Sequence, residues 1–320
     1  MTGKDLRIVF MGTPDFAVAS LAALVENGYQ VVGVITAPDK PAGRGRKLQE
    51  PAVKKYASEK GLRVLQPEKL KNPDFIRELQ GLKADLQVIV AFRMLPEVVW
   101  SMPRLGTFNL HGSLLPQYRG AAPLNWAVIN GEKETGVTTF LLSHEIDTGA
   151  ILFQEKTPIG DNDTVGDIHD RLMDTGAQLV LKTVDALAEG NYSPLDQDEI
   201  KVDSLKPAPK LFKDDCRIDW TQTGEQIRNL IRGLSPYPAA WTELEDENGN
   251  SYTMKIYFAD LEADSDAKPG TIESDEKSYL KIAAADRRLS ITDLQLSGKK
   301  RMKTDEFLRG FHSISTLRTR

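Results

Sequence analysis

LRIVFMGTPDFAVASLAALVE, at residues 6–26, decides the fold together with QVVGVI at residues 30–35. Residues 6–12 and 30–35 are apolar and rich in β-branched side chains, which is typical of parallel strands covered on both faces. The stretch between them predicts a helix over 15–26, with Thr13 as its N-cap and Pro14 in its first turn. A strand, a helix and a second strand in this order open a doubly wound sheet.

The same alternation continues along the first part of the chain. A weak strand pattern lies at 63–65, a helical pattern at 72–80, and clearer strand patterns at 86–91, 106–110 and 136–142. A long helical pattern then covers 164–187. These elements predict an α/β domain over 1–189 with a doubly wound, mostly parallel, Rossmann-like sheet.

The last third of the chain has a different pattern. Residues 190–209 contain one glycine, three prolines and many charges without periodicity, which predicts a linker. A helical pattern at 223–234 precedes short strand patterns at 241–245, 252–258, 270–272, 280–283 and 289–296. Because 320 residues exceed what one core usually organises, we expect a second domain over 210–320, a small β-barrel.

Composition excludes several classes of protein. A single cysteine, Cys216, allows neither an intrachain disulfide nor a thiolate metal cluster and fits a reducing compartment. The N-terminus carries charges directly against a short apolar run, and no run reaches 18 apolar residues. We therefore predict a cytoplasmic protein without a membrane partner.

Asn109, His111 and Asp147 are the candidate reactive side chains. Asn109 and His111 lie in NLHGSLLP at 109–116, at the end of one predicted strand, and Asp147 opens DTG at 147–149, shortly after another. Ligands of doubly wound sheets bind outside the carboxyl ends of the strands, so we expect both strand ends to face one pocket. An amide, an imidazole and a carboxylate suit proton-coupled transfer to an amine. Singly, such a histidine is more often structural and Asp-Thr-Gly is commonly a turn.

Two other kinds of site are disfavoured by the motifs. GTPDFA at 12–17 lacks the further glycines with which a dinucleotide fingerprint approaches a pyrophosphate, so NAD and FAD binding is rejected. The remaining histidines, His144, His169 and His312, have no metal-ligand spacing, and we predict no metal.

Positive charge is concentrated in two regions of a chain whose formal net charge is −5. Residues 36–56 carry six basic and two acidic side chains, and residues 298–320 carry seven and two. Local potential rather than net charge attracts phosphate, so both regions are candidate nucleic-acid surfaces. Each could instead be a solvated face of the protein.

Several separated motifs resemble the methionyl-tRNA formyltransferase family over nearly the full chain. They are FMGTPDFA at 10–17, PDKPAGRG at 38–45, HGSLLP at 111–116, RGAAP at 119–123 and IDTG at 146–149, with weaker matches at 217–220 and 298–300. The resemblance implies a Rossmann-like formyltransferase domain followed by an OB-like barrel. It also implies a monomer that transfers a formyl group from 10-formyltetrahydrofolate to methionine on initiator tRNA.

The same resemblance assigns roles to residues. Asn109 would donate to the developing oxyanion, His111 would take part in proton transfer or charge stabilisation, and Asp147 would orient His111 or relay a proton. Side chains that would shape the folate pocket, or simply form a rigid apolar loop, are Ser113, Leu114, Leu115 and Pro116. Side chains that would contact tRNA are Lys40, Arg44, Arg46, Lys47, Lys299, Lys300 and Arg301. Arg44 is singled out in a glycine-containing loop over 36–48, and the 299–303 run could also be a hairpin edge protected by lysines.

Two other hypotheses compete with this one. A formyltetrahydrofolate-dependent formyltransferase or hydrolase acting on a small substrate would keep the trio but leave both basic regions unexplained. A tRNA-binding protein without catalysis would keep the basic regions but leave Asn109, His111 and Asp147 unexplained.

Overall fold

The computed structural model describes residues 2–42 and 47–319, which form two compact units. The first comprises Met1–Gly120, Thr135–Thr157 and His169–Pro207, and the second comprises Ala121–Glu134, Pro158–Ile168 and Ala208–Arg320. Two segments that precede residue 189 thus group with the C-terminal unit. The predicted boundaries at 189 and 210 stay a prediction.

The first unit is built on a sheet of the predicted class. The strands up to residue 158 are β1 (Arg7–Gly12), β2 (Gln30–Ile35), β3 (Lys40–Ala42), β4 (Lys47–Gln49), β5 (Val64–Leu65), β6 (Leu86–Val90), β7 (Thr107–His111), β8 (Glu134–Leu141) and β9 (Ile151–Pro158), and all but β3 and β4 form this sheet. The sheet order is β5-β2-β1-β6-β7-β8-β9, parallel from β5 to β7, while β7 and β8 are antiparallel. The Rossmann-like, mostly parallel sheet is therefore confirmed.

Helices connect these strands. In chain order they are α1 (Asp15–Glu26), α2 (Ala52–Glu59), α3 (Pro73–Gly81), α4 (Glu97–Trp100), α5 (Pro123–Ile129) and α6 (Val165–Glu189). Helix α5 and the start of α6 lie in the segments that group with the second unit. The predicted Thr13 cap of α1 is wrong, because Pro14, with an extended backbone, occupies the N-cap position. Five of the six residues of β1 are buried, as expected for a strand covered on both faces.

Strand β9 was not predicted from the sequence. It follows the Asp147 turn and carries Glu155 and Lys156 at exposed positions, so its apolar alternation is too weak to read. The flanks of the predicted 36–48 loop also pair, since β3 and β4 form an antiparallel hairpin.

The second unit contains the predicted antiparallel barrel. Its elements are α7 (Gly224–Leu234), β10 (Ala240–Glu245), β11 (Ser251–Asp264), β12 (Ile272–Ser274), β13 (Leu280–Ala283), β14 (Arg287–Leu296), β15 (Met302–Lys303), α8 (Thr304–Gly310) and β16 (Arg318–Thr319). The strand order is β12-β13-β14-β11-β10-β16, with β15 on β14. Register shifts between β11 and β14 let the long β11 bend into a nearly closed, barrel-like sheet. One apolar cluster that includes Trp220, Ile231, Ile256 and Leu294 fills it.

Short 3-10 turns lie at Gly3–Asp5, Gln197–Glu199, Asp214–Cys216 and Ile314–Thr316. No helix within residues 2–42 and 47–319 is long and apolar enough to cross a bilayer.

Candidate active site

Strand β7 places Asn109 and His111 on one face of the first unit's sheet. The two residues are two positions apart in a strand, and side chains at that spacing point to the same side. Asn109 pairs with Ile89 of β6 and Phe140 of β8, so it sits within the sheet rather than at its edge. Its side-chain amide makes no hydrogen bond to any of the described residues, which leaves the amide available to a ligand.

The ring of His111 is held by one specific hydrogen bond. Its side chain is only 6% exposed, its Nε2 lies 2.8 Å from the carbonyl oxygen of Tyr118, and its ring meets Phe140 edge to face. A carbonyl oxygen only accepts hydrogen bonds, so Nε2 carries the proton and donates. Nδ1 is therefore the ring nitrogen that exchanges a proton, and it faces the carboxylate of Asp147.

Asp147 lies beside His111, but the path of the chain that places it there differs from the predicted one. The Oδ2–Nδ1 distance is 3.9 Å, about 1 Å longer than a direct hydrogen bond, so the structure does bring the two residues together. However, β8 runs antiparallel to β7 and Leu141 pairs with Phe108, so the end of β8 lies beside the start of β7. The expectation that both strand ends face one pocket is wrong. The 142–150 loop instead folds back over the sheet.

Gly149 allows this loop to fold back. A Cβ atom built on Gly149 would lie 1.6 Å from the carbonyl oxygen of Leu141, a distance that no side chain tolerates. Asp147 itself adopts a left-handed backbone with φ of 56°, which is costly for a residue with a side chain. The Asp-Thr-Gly motif is thus a turn as well as the source of the carboxylate.

Residues 118–120 touch both titratable members of the group. Tyr118 supplies the carbonyl to His111, and the backbone N–H of Gly120 donates to Oδ2 of Asp147 over 2.9 Å. The side chain of Arg119 donates to Gln197, whose amide in turn binds the turn that carries Asp147. The RGAAP motif marks Arg119 and Gly120 in the sequence. Gln197 lies in the stretch assigned to a linker, where no periodicity draws attention to it.

The four residues proposed to shape a folate pocket mostly face the protein interior. The hydroxyl of Ser113 donates to the carbonyl of Gln117, and Leu115 packs in a small cluster with Phe140. Pro116 is buried as well, whereas Leu114 is partly exposed and packs against Gly136. Direct contact with a ligand stays a prediction, and this packing favours the rigid-loop alternative for Ser113, Leu115 and Pro116.

The β3–β4 hairpin is anchored at its base. Asp39 accepts hydrogen bonds from Gln66 (2.8 Å) and Lys54 (2.5 Å), and these bonds hold the pKa of Asp39 below its ordinary value. Lys40 is exposed and Lys47 opens β4. Arg44 and Arg46 lie outside the described residues, so their proposed role stays a prediction.

The basic run of the second unit is not uniform. Lys299 and Lys300 are exposed, but Arg301 forms two hydrogen bonds with Asp293 and lies over the ring of Tyr257. Burial raises the pKa of Asp293, yet the bonds and charges of Arg301 and Lys303 outweigh it and the net pKa is lowered. Part of the positive charge predicted for tRNA is thus already paired within the protein.

No group of three or more histidine, cysteine, aspartate or glutamate side chains among the described residues could hold a metal ion. The side chains proposed for the candidate site are the Asn109 amide, the His111 imidazole and the Asp147 carboxylate.

Family models and relatives match the chain over most of its length. The model described as formyl transferase matches residues 6–184, and the one described as formyl transferase, C-terminal domain, matches residues 210–312. A methionyl-tRNA formyltransferase from Bacteroides fragilis is 59% identical over 314 residues, covering 98% of this chain and 97% of that protein. The corresponding protein of Parabacteroides distasonis is 60% identical over 319 residues, covering 98% of each chain.

Among solved structures, an N-formyltransferase from Helicobacter canadensis in complex with folinic acid and dTDP-3-aminofucose has a similar fold. The TM-score is 0.63 at 23% identity, covering 89% of this chain and 98% of that one.

Proposed function

The chain belongs to the formyl transferase family, and on that premise we propose that it transfers the formyl group of 10-formyltetrahydrofolate to the α-amino group of methionine on initiator tRNA. The single observation that carries the chemistry is the His111–Asp147 pair, 3.9 Å apart on the same side of β7 as Asn109. Relatives named for this reaction that are about 60% identical over nearly the whole chain support the choice of substrate.

The reaction forms one carbon–nitrogen bond and breaks another. The methionine amine attacks the formyl carbon, the carbonyl oxygen gains negative charge, and collapse of the intermediate releases N10 of the folate. One proton must leave the amine and one must reach N10, so a group that takes up and returns a proton serves both steps.

The three side chains suit these needs. The amide of Asn109, which has no hydrogen-bond partner among the described residues, donates a hydrogen bond to the developing oxyanion. Nδ1 of His111 takes the proton from the amine and returns it to N10, because Nε2 is held by Tyr118. Asp147, which faces Nδ1, orients the ring and stabilises it when it is charged.

Folate binding is assigned to exposed apolar side chains that follow β6 in the chain and that precede Asp147. Met94 is 72% exposed and follows β6, and Ile146 is exposed beside Asp147. Exposed side chains of this size suit a flat aromatic ligand better than water. Leu114 is the third contact in this proposal, while Ser113, Leu115 and Pro116 hold the loop in shape.

tRNA recognition is assigned to two basic surfaces, one in each unit. Lys40, Arg44, Arg46 and Lys47 lie within residues 40–47 of the sequence, and Lys299, Lys300 and Arg301 belong to the second unit. Phosphate contacts of this kind position a substrate without reading its sequence. The protein acts as a monomer in the cytoplasm, where initiator tRNA is charged and used.

The test is a formylation assay with initiator and elongator methionyl-tRNA side by side. We expect formylation of the initiator at a much higher kcat/KM than of the elongator, and loss of that preference in Arg44→Ala. Uncharged initiator tRNA should compete with the substrate. Formyl transfer to an amino sugar or purine precursor, with no inhibition by tRNA beyond a salt-sensitive nonspecific effect, would overturn the proposed acceptor.

A further inference from the structure

The side-chain amide of Gln197 is buried in the first unit and uses its full hydrogen-bonding capacity. The residue is 2% exposed. Its Nε2 donates to the backbone carbonyls of Asp147 (2.9 Å) and Gly149 (2.8 Å). Its Oε1 accepts from Nε (3.0 Å) and Nη2 (2.7 Å) of Arg119. A buried amide with two donor and two acceptor bonds is fixed in one orientation.

These bonds act on the turn that presents the carboxylate. The two carbonyls flank Thr148, so Gln197 is hydrogen-bonded to the first and the last residue of the Asp-Thr-Gly turn. Asp147 needs such support because a left-handed backbone is unfavourable for a residue with a side chain, and surrounding contacts must offset that cost. Rotation of this backbone would swing the carboxylate away from Nδ1 of His111.

Arg119 and its two neighbours in the chain connect Gln197 to His111 and Asp147. The Arg119 guanidinium holds Gln197, the N–H of the following residue, Gly120, binds Oδ2 of Asp147, and the carbonyl of the preceding residue, Tyr118, binds His111. Three consecutive residues therefore fix the imidazole, the carboxylate and the glutamine that supports the carboxylate. A shift in any of them changes the Nδ1–Oδ2 distance.

We propose that Arg119 and Gln197 are positioning residues that set Asp147 against His111 without touching the reacting atoms. The stretch around Gln197 is thus part of the active site's framework rather than a passive linker. The proposal deepens the proposed function and rests on it for its kinetic readout.

The four hydrogen bonds at position 197 require a side-chain amide, which both donates and accepts. A glutamate at position 197 would still accept from Arg119 but would place negative charge against two carbonyl oxygens. A methionine fills a similar volume but makes none of the four hydrogen bonds. Arg119→Lys keeps the charge but cannot donate two parallel bonds to one oxygen.

The kinetic test compares Gln197→Met, Gln197→Glu and Arg119→Lys with the surface control Gln178→Met. We expect kcat to fall roughly 10- to 100-fold in both Gln197 variants, because a displacement of about 1 Å can cost this much. KM for tRNA should stay within about twofold, and Arg119→Lys should show a smaller loss of kcat. Gln178→Met, on the exposed face of α6, should match the wild type.

A double variant separates positioning from general stability. If Gln197 acts through Asp147, then Gln197→Met in an Asp147→Asn background should lower kcat no further. Losses that multiply in the double variant, or that appear in KM rather than kcat, would overturn the proposal.

A second readout does not depend on activity. The His111 ring signal in NMR, assigned with His111→Gln, should change its chemical shift in Gln197→Met and Arg119→Lys as it does in Asp147→Asn. An unchanged signal in folded variants would overturn the positioning role of Arg119 and Gln197, even if the enzyme formylates tRNA. A wild-type protein that fails to formylate tRNA while these shifts change would overturn the proposed function alone.

Discussion

One hydrogen bond of His111 determines what the ring can do. Its Nε2 is bound to the carbonyl of Tyr118, so proton exchange is confined to Nδ1, which lies opposite Asp147. The sequence identifies Asn109, His111 and Asp147 as a group, because their residue types suit the chemistry. It does not reveal the ring nitrogen, because that depends on a backbone carbonyl whose direction follows from the left-handed conformation of Tyr118.

Asn109→Ala tests the oxyanion role. Removal of one preorganised donor typically lowers kcat by about 100- to 1000-fold, and we expect a loss of this order. KM for tRNA should hardly change, because the donor binds charge that exists only in the transition state. Steady-state kinetics at saturating folate measures both quantities.

Asn191→Ala, at an exposed position of the same unit, is the matched control. A rise in KM for tRNA with unchanged kcat would show that Asn109 binds the substrate's ground state instead.

The elements around the site explain what the sequence can and cannot predict. The β1–α1–β2 unit and the antiparallel barrel follow from hydrophobic periodicity, and the structure confirms both. The antiparallel direction of β8 cannot be predicted from the hydrophobic periodicity of the sequence, because a buried strand has the same pattern in either direction. For this reason the sequence predicts the proximity of Asp147 and His111 but not the loop that folds back.

Gly149→Ala tests the fold of the 142–150 loop. The added methyl group would overlap the carbonyl of Leu141, so the turn must move and carry Asp147 with it. We expect kcat to fall at least tenfold and thermal stability to drop, by about 1–3 kcal/mol. Kinetics and thermal denaturation of the same preparation measure both effects.

Gly81→Ala is the control, since a Cβ atom there meets nothing within 4 Å. Full activity in Gly149→Ala would contradict the tight loop described for the site.

Asp293 makes the stability of the protein depend on pH. Its folded-state pKa is lowered by Arg301 and Lys303 against the effect of burial, so its stabilising contribution is present above the unfolded value of about 3.9. That contribution is lost as the pH falls through the lowered pKa. We expect Asp293→Asn to reduce stability at pH 7 by about 1–3 kcal/mol and to flatten the acid side of the stability curve.

Urea denaturation between pH 7 and pH 2.5 measures this difference. Asp266→Asn, at an exposed carboxylate of the same unit, should leave the curve unchanged. Parallel curves for the wild type and Asp293→Asn would show that the carboxylate contributes no such stabilisation.

For the whole molecule, charge distribution matters more than net charge. A formal charge of −5 coexists with exposed Lys299 and Lys300, and binding of phosphates to such residues releases counterions. We expect Lys299→Ala/Lys300→Ala to weaken binding of initiator and elongator tRNA equally. The slope of log affinity against log salt should fall by about 2 in magnitude, one for each lost contact.

Lys268→Ala/Lys277→Ala removes two exposed lysines of the same unit outside the basic run and should leave the slope unchanged. Equal slopes for both double variants would show that the 299–303 run is solvated surface.

Transfer of a formyl group by the Asn109, His111 and Asp147 site is measured most directly in a single-turnover assay. Excess protein with 10-formyltetrahydrofolate would be mixed with methionyl initiator tRNA, for the wild type and for Asp147→Asn. We predict stoichiometric formylmethionyl-tRNA with the wild type and a rate on the order of 100-fold or more lower in the variant, with tRNA affinity largely kept. Equal rates for the two proteins, or no formylmethionine with the wild type, would contradict this account.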